Sequence, residues 1–206
     1  MPGQIDYYFS CSSPWAYLGH ADFIAVARKH GFTVEYKPLP LGRLFPETGG
    51  LPLAQRHPAR QNYRMIELQR WRDKKHIDLN LHPKFWPFDP SLADRTVIAL
   101  TAKTAVERFL PQAFAAVFAA DANLADEAVI AQLLVGAGLD AAQILAAAKS
   151  PAVMAHYEAN LAEAAARGVF GAPSYVLAGE IFWGQDRIGC LDEALAAGRT
   201  PYRADA

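Results

Sequence analysis

Phe9-Ser10-Cys11-Ser12-Ser13-Pro14-Trp15-Ala16-Tyr17-Leu18 reads as the end of a strand running into the start of a helix. Upstream of it, Ile5, Tyr7 and Phe9 alternate with Asp6, Tyr8 and Ser10, the two-residue period of a strand rich in β-branched and aromatic types. The polar run at 10–13 ends that strand. Ser13 is a good N-cap, and Pro14 suits the first helical position, where a backbone N–H would have no partner anyway. Downstream, Tyr17, Ala21 and Ile24 recur at helical spacing towards His30, and Gly31 supplies the stop. Thr33-Val34-Glu35-Tyr36-Lys37 is a second short strand, so the first forty residues predict a βαβ unit.

Beyond that unit the texture changes. Residues 44–58 carry Pro46, Gly49, Gly50, Pro52 and Pro58 and read as loop. Residues 60–75 are a charged helical stretch with Tyr63, Ile66, Leu68 and Trp71 as its apolar contacts, and the proline-rich segment 80–90 is irregular. Asp126, Asp140 and Ser150-Pro151 then mark the starts of Ala-rich helices, the last running through Val153, Tyr157 and Leu161 to Gly168. Strand character returns after Val169. Ser174-Tyr175-Val176-Leu177 and Glu180-Ile181-Phe182-Trp183 flank the tight turn Ala178-Gly179, and Asp186 or Arg187 opens a final helix towards Gly198. Neither β-rich end holds a complete sheet, which predicts one α/β domain interrupted by an all-helical insertion.

Composition narrows the function classes. The 206 residues are 52% apolar and 20% charged, a globular composition. Twenty basic side chains against 21 acidic ones give a net charge of −1, leaving no surplus to neutralise phosphates, so no nucleic-acid partner is expected. The most apolar stretches, 113–120 and 128–135, fall short of the roughly 20 residues a bilayer requires, so no membrane partner is expected either. The start of the chain lacks a basic, apolar export signal, and the two cysteines, Cys11 and Cys190, form no CxxC; a cytoplasmic protein with reduced thiols is expected. His57, His76 and His82 lack the spacing of a metal set, and no GxxxxGK[ST] phosphate loop occurs.

The segment Gly168-Val169-Phe170-Gly171-Ala172-Pro173-Ser174-Tyr175 places a proline at the start of a strand. With the helix start at Ser13 and the split topology, it resembles the thioredoxin fold, in the DsbA-like branch whose sheet domain is interrupted by helices. Ser13 and Ala16 stand where that branch carries its redox cysteines. Ser13-Pro14-Trp15, Gly171-Ala172-Pro173, Phe182-Trp183-Gly184-Gln185-Asp186-Arg187 and, in the insertion, Leu68-Gln69-Arg70-Trp71 together resemble the 2-hydroxychromene-2-carboxylate isomerase family, close to the kappa-class glutathione transferases. On this basis residues 1–42 and 168–206 are expected to form the thioredoxin-like domain and 43–167 the helical insertion domain, with a cis peptide before Pro173.

The resemblance further implies glutathione as cofactor, an aromatic carboxylate as small-molecule substrate, and a homodimer. Ser13 takes the catalytic role: a hydroxyl at a helix N-terminus donates to the glutathione thiolate and favours its charged form. Ala172 would pair its backbone with the tripeptide, while Trp183, Gly184, Gln185 and Asp186 would hold the γ-glutamyl end, Asp186 accepting from the ammonium. Substrate contacts fall to Arg43, Phe45, Ala54, Gln55 and Trp86, with Arg43 and Arg60 as candidate cations. The chain departs from the family at Phe45, where a lysine can occur, and at Ala54-Gln55, where an Asn-Arg pair is found. The implied reaction interconverts a 2-hydroxychromene-2-carboxylate and an open trans-o-hydroxybenzylidenepyruvate-type acid by transient addition of the thiolate. Kappa-type conjugation of electrophiles and glutathione binding without turnover remain open alternatives at the level of sequence.

Overall fold

The structure, a computed structural model, describes residues 3–204. Strand β1 (Gln4–Phe9), helix α1 (Pro14–Lys29) and strand β2 (Thr33–Pro38) form the βαβ unit, with β1 and β2 parallel and Tyr7 opposite Tyr36. Strands β3 (Ser174–Leu177) and β4 (Glu180–Trp183) form an antiparallel hairpin, and β3 runs antiparallel to β1 with Tyr7 opposite Tyr175. The sheet order is β2-β1-β3-β4. Ala178 and Gly179 have φ of 48° and 91°, the left-handed pair that lets a two-residue turn follow the twist of its strands.

The alternation in β1 decides what packs on each face. Ile5, Tyr7 and Phe9 point into the larger core, where Phe23 of α1 lies 4.8 Å from the Tyr7 ring and 4.3 Å from that of Tyr175. Tyr8 points the opposite way, into a second cluster with Leu39, Leu44, Leu161 and Val176. Both faces of β1 are therefore covered, which fits its central place in the sheet.

Between β2 and β3 the described chain contains helices α2 (Leu41–Glu47), α3 (Pro58–Lys75), α4 (Ser91–Ala99), α5 (Lys103–Phe118), α6 (Glu127–Gly136), α7 (Ala141–Ala148) and α8 (Pro151–Ala166); α9 (Ile188–Ala197) follows β4. The expected caps form: Asp126, Asp140 and Ser150 accept from the N–H groups of Ala128, Gln143 and Val153. Phe114 of α5 ties the helices to the sheet, its ring 6.1 Å from Phe9 and 5.5 Å from His20, so one apolar cluster runs from β1 through α5 to Ile130 and Leu134 of α6. The result is the thioredoxin-like α/β fold with a helical insertion.

One expectation is corrected. The stretch 44–58 is not a continuous loop, because α2 covers Leu41–Glu47 and a short 3-10 turn covers Leu53–Gln55. Leu44 is completely buried in the second cluster, and that tertiary contact holds a helix together despite Gly42 and Pro46. Among the described residues no helix is long and apolar enough to cross a membrane.

Candidate active site

The β1–α1 turn delivers one hydroxyl with a free proton. Ser13 has extended backbone angles (φ −92°, ψ 112°), and its Oγ accepts from the N–H of Ala16 at 3.2 Å. Its own N–H donates to the carbonyl of Ser10, and its carbonyl accepts from the N–H of Tyr17. Capping occupies a lone pair of Oγ and leaves the O–H available as a donor. Pro14 has no N–H and Ala16 is capped, so the Trp15 N–H is the first-turn donor without a partner among the described residues. An anion placed here meets the Ser13 O–H, the Trp15 N–H and the positive end of α1.

Facing it is the turn before β3. The Ala172–Pro173 peptide is cis. Neither the N–H nor the C=O of Ala172 has a hydrogen-bond partner among the described residues, whereas Gly171 accepts from Ser174 Oγ and Pro173 accepts from the Gly184 N–H. Gly171 lets the Trp183 ring approach the backbone, since a Cβ there would lie 2.4 Å from the indole nitrogen and the ring would have to shift. Trp183 is 51% exposed and packs on Phe170 with ring centroids 4.7 Å apart. Gly184 has φ of 99°, and a Cβ on it would fall 2.5 Å from Asp186 Oδ1. Asp186 is exposed and bonds Arg187 through Oδ2 at 2.7 Å. Gln185 turns inward, buried against Gly19.

A cavity of about 960 Å³ joins these parts. It brings Ser13, Phe45, Ala54, Trp86, Ala172 and Trp183 together, while Gly184, Gln185 and Asp186 lie outside its lining. Two expected substrate contacts also lie outside it. Arg43 sits on the exposed side of α2, held by Glu158 at 2.7 Å, and Gln55 is exposed in the 3-10 turn; neither lines the cavity.

The charge comes from elsewhere. Arg56, Arg60 and Arg64 line one wall, and among the described residues no Asp or Glu does so. The Arg64 guanidinium stacks 4.9 Å from the Trp86 ring, and that of Arg56 lies 5.5 Å from Phe45. None of the three has a carboxylate partner among the described residues. Burial, with Arg56 adding repulsion, pushes the Arg64 pKa down to about 10. It still carries its charge at neutral pH. Arg60 and Arg64 lie four residues apart on α3, a like-charge pair that disfavours the helix, and Arg56 precedes that helix, so this wall is better suited to an anion than to folding. The repeat is visible in the sequence, where only Arg60 drew attention.

Cys11 is close to Ser13 in sequence but unsuited to chemistry. It is fully buried, and burial together with the Asp94 carboxylate raises its thiol pKa well above the usual value. Brief treatment of the folded protein with iodoacetamide is expected to label Cys190, which is exposed, and to leave Cys11 unmodified until denaturant is added. Peptide mass spectrometry reads the two sites separately, and rapid native labelling of Cys11 would contradict the closed turn.

The profile of the DSBA-like thioredoxin domain matches residues 4–196. A 2-hydroxychromene-2-carboxylate isomerase from Sphingobium xenophagum is 28% identical over 198 residues, covering 95% of this chain and 99% of that protein. A second, from Pseudomonas putida, is 25% identical over 93% of each chain. Among solved structures, a 2-hydroxychromene-2-carboxylate isomerase superposes with a TM-score of 0.80 at 24% identity, covering 94% of this chain and 95% of the other. The cytosolic disulfide reductase DsbM from Pseudomonas aeruginosa, solved with GSH, gives 0.66 at 16% identity over 94% and 99% of the two chains. The resemblance carried by the Ser13, Ala172-Pro173 and Trp183–Arg187 motifs thus extends over nearly the whole sequence, and the chain belongs to the DSBA-like thioredoxin domain family.

Proposed function

We propose that the protein is a glutathione-dependent isomerase of 2-hydroxychromene-2-carboxylate-type aromatic acids. The observation that carries this reading is the cavity that unites the Ser13 hydroxyl, the Ala172 backbone, unpaired among the described residues, and the arginine wall. The residues fit glutathione. Ala172 offers an N–H and a C=O to an extended tripeptide, and Asp186 Oδ1, which has no partner among the described residues, can accept from an ammonium. The isomerases related to this chain support the reaction class, and a neighbour of the same fold solved with GSH supports the cofactor.

Glutathione held here would supply a thiolate nucleophile for reversible covalent catalysis on a conjugated acid. Ser13 donates to the sulfur and keeps it charged. Arg56, Arg60 and Arg64 receive the substrate carboxylate, and the faces of Trp86 and Phe45 take its ring.

Absorbance assays on a 2-hydroxychromene-2-carboxylate, with free glutathione counted before and after, test the reading. The trans isomer should form only with glutathione present, and the glutathione total should not fall. Stoichiometric loss of glutathione would instead make the protein a transferase, and tight binding without turnover would make it a binding protein.

A further inference from the structure

Asp94 of α4 is a carboxylate with no solvent exposure and no cationic partner among the described residues. Its Oδ1 accepts from the Cys11 N–H at 2.7 Å, and its Oδ2 accepts from Ser10 Oγ at 3.0 Å and from the Tyr157 hydroxyl of α8 at 2.9 Å. Burial pushes its pKa up to about 6, while the three donors that converge on it favour the ionised form. Cys11 and Tyr157 are the titratable groups facing it, and burial keeps both protonated. A buried charge held only by neutral donors is costly to the fold, and it sits directly beneath the turn that carries Ser13.

Proton counting along that turn gives the charge a function. An ionised carboxylate only accepts, so the one hydroxyl proton of Ser10 is committed to Asp94. Ser10 Oγ then has lone pairs alone to offer to Ser12, whose N–H reaches it at 3.3 Å and whose Oγ lies 3.0 Å away. Ser12 must therefore point its hydroxyl proton inward, at Ser10. Ser12 also lines the cavity beside Ser13, and its carbonyl is fixed by the Trp86 indole N–H at 2.9 Å.

We infer that Asp94 is a positioning residue that sets the polarity of the two neighbouring hydroxyls, so that Ser12 presents lone pairs to the cavity and Ser13 alone presents a hydroxyl proton. The inference rests on the proposed glutathione site for its functional meaning, because the thiolate is the group that senses the difference. Asp94 and Ser10 act through Ser12 and touch neither glutathione nor substrate.

Asp94→Asn reverses the relay in a determined direction. The Cys11 N–H can only donate, so it retains the amide oxygen and places the amide nitrogen against Ser10. Ser10 then accepts from the amide, donates to Ser12, and frees the Ser12 proton for the cavity. The thiol pKa of bound glutathione, read by thiolate absorbance against pH, should fall by about one unit more in Asp94→Asn than it does when the same change is made in the Ser12→Ala background. Equal shifts in the two backgrounds would mean that only the lost charge acts, and would overturn the inference. Ser10→Ala provides a second route that leaves the Asp94 charge in place: it too should lower the bound thiol pKa, and it too should require Ser12. No shift, or one independent of Ser12, would count against the relay.

A readout without glutathione accompanies these. In the unliganded protein, carboxyl NMR should show Asp94 titrating at higher pH in Ser10→Ala, since a donor to the charged form is lost. An unchanged midpoint would place the Ser10 proton elsewhere and overturn the assignment. If calorimetry detects no glutathione binding by the parent protein, the proposed function fails together with the meaning given to this polarity. Binding without Ser12 dependence fails the inference alone.

Discussion

Ser13→Ala should still bind glutathione, while the bound thiol pKa rises by one to two units and turnover falls about ten- to a hundredfold, the consequence of losing one hydrogen bond to a charged group. The sign follows from which protonation state the bond favours. The Ser13 proton is free to meet an anion because Oγ is the acceptor in the cap to Ala16, so removing it penalises the thiolate and leaves the neutral thiol unaffected. Binding should survive because the contacts proposed for the Ala172 backbone and Asp186 are untouched. The lost cap should lower stability by about 1 kcal/mol, or about 2–4 °C in Tm, without unfolding the protein. Unchanged thiol pKa and unchanged rate would reduce Ser13 to a helix cap.

Arg64→Met should separate binding from stability in opposite directions. Methionine keeps an apolar stem against Trp86 but removes the guanidinium stacked on it. KM for the aromatic carboxylate should rise about ten- to a hundredfold while kcat changes only a few-fold, because a contact made equally in ground and transition states alters binding rather than chemistry. The same substitution relieves a half-buried cation that has no carboxylate partner among the described residues and is repelled by Arg56. Tm should therefore stay level or rise by about 2–4 °C, the size of a 1 kcal/mol gain. A fall in Tm with KM unchanged would mean that the arginine wall serves the fold and not a ligand.

The parts of the fold written in local pattern are the parts legible in the sequence. The β1–α1 junction shows itself in alternation, an N-cap and a proline, and the β3–β4 hairpin in two short strands around Ala178-Gly179. Helix α2 is not legible, because Gly42 and Pro46 argue against it and only the burial of Leu44 under Tyr8 and Leu161 overrides them. The site divides in the same way. Ser13, Ala172 and Trp183 sit on motifs whose local geometry is stereotyped, and they converge on the cavity.

The arginine wall is harder to read because a charged helix looks the same whether its arginines face solvent or a pocket. Arg70 pairs with Glu67 on the outer surface, whereas Arg64, on the same helix, turns onto Trp86. Asp94 is invisible in sequence for a different reason. Its partners Tyr157, Cys11 and Ser10 lie 63, 83 and 84 positions away, so no window along the chain contains the cluster.

The site is tested most directly by a crystal structure of the protein with glutathione. The sulfur should lie within hydrogen-bond reach of Ser13 Oγ, the tripeptide backbone should pair with the N–H and C=O of Ala172, and the arginine wall should remain open for a carboxylate. Glutathione bound with its sulfur away from Ser13, or bound outside this cavity, would contradict the assignment.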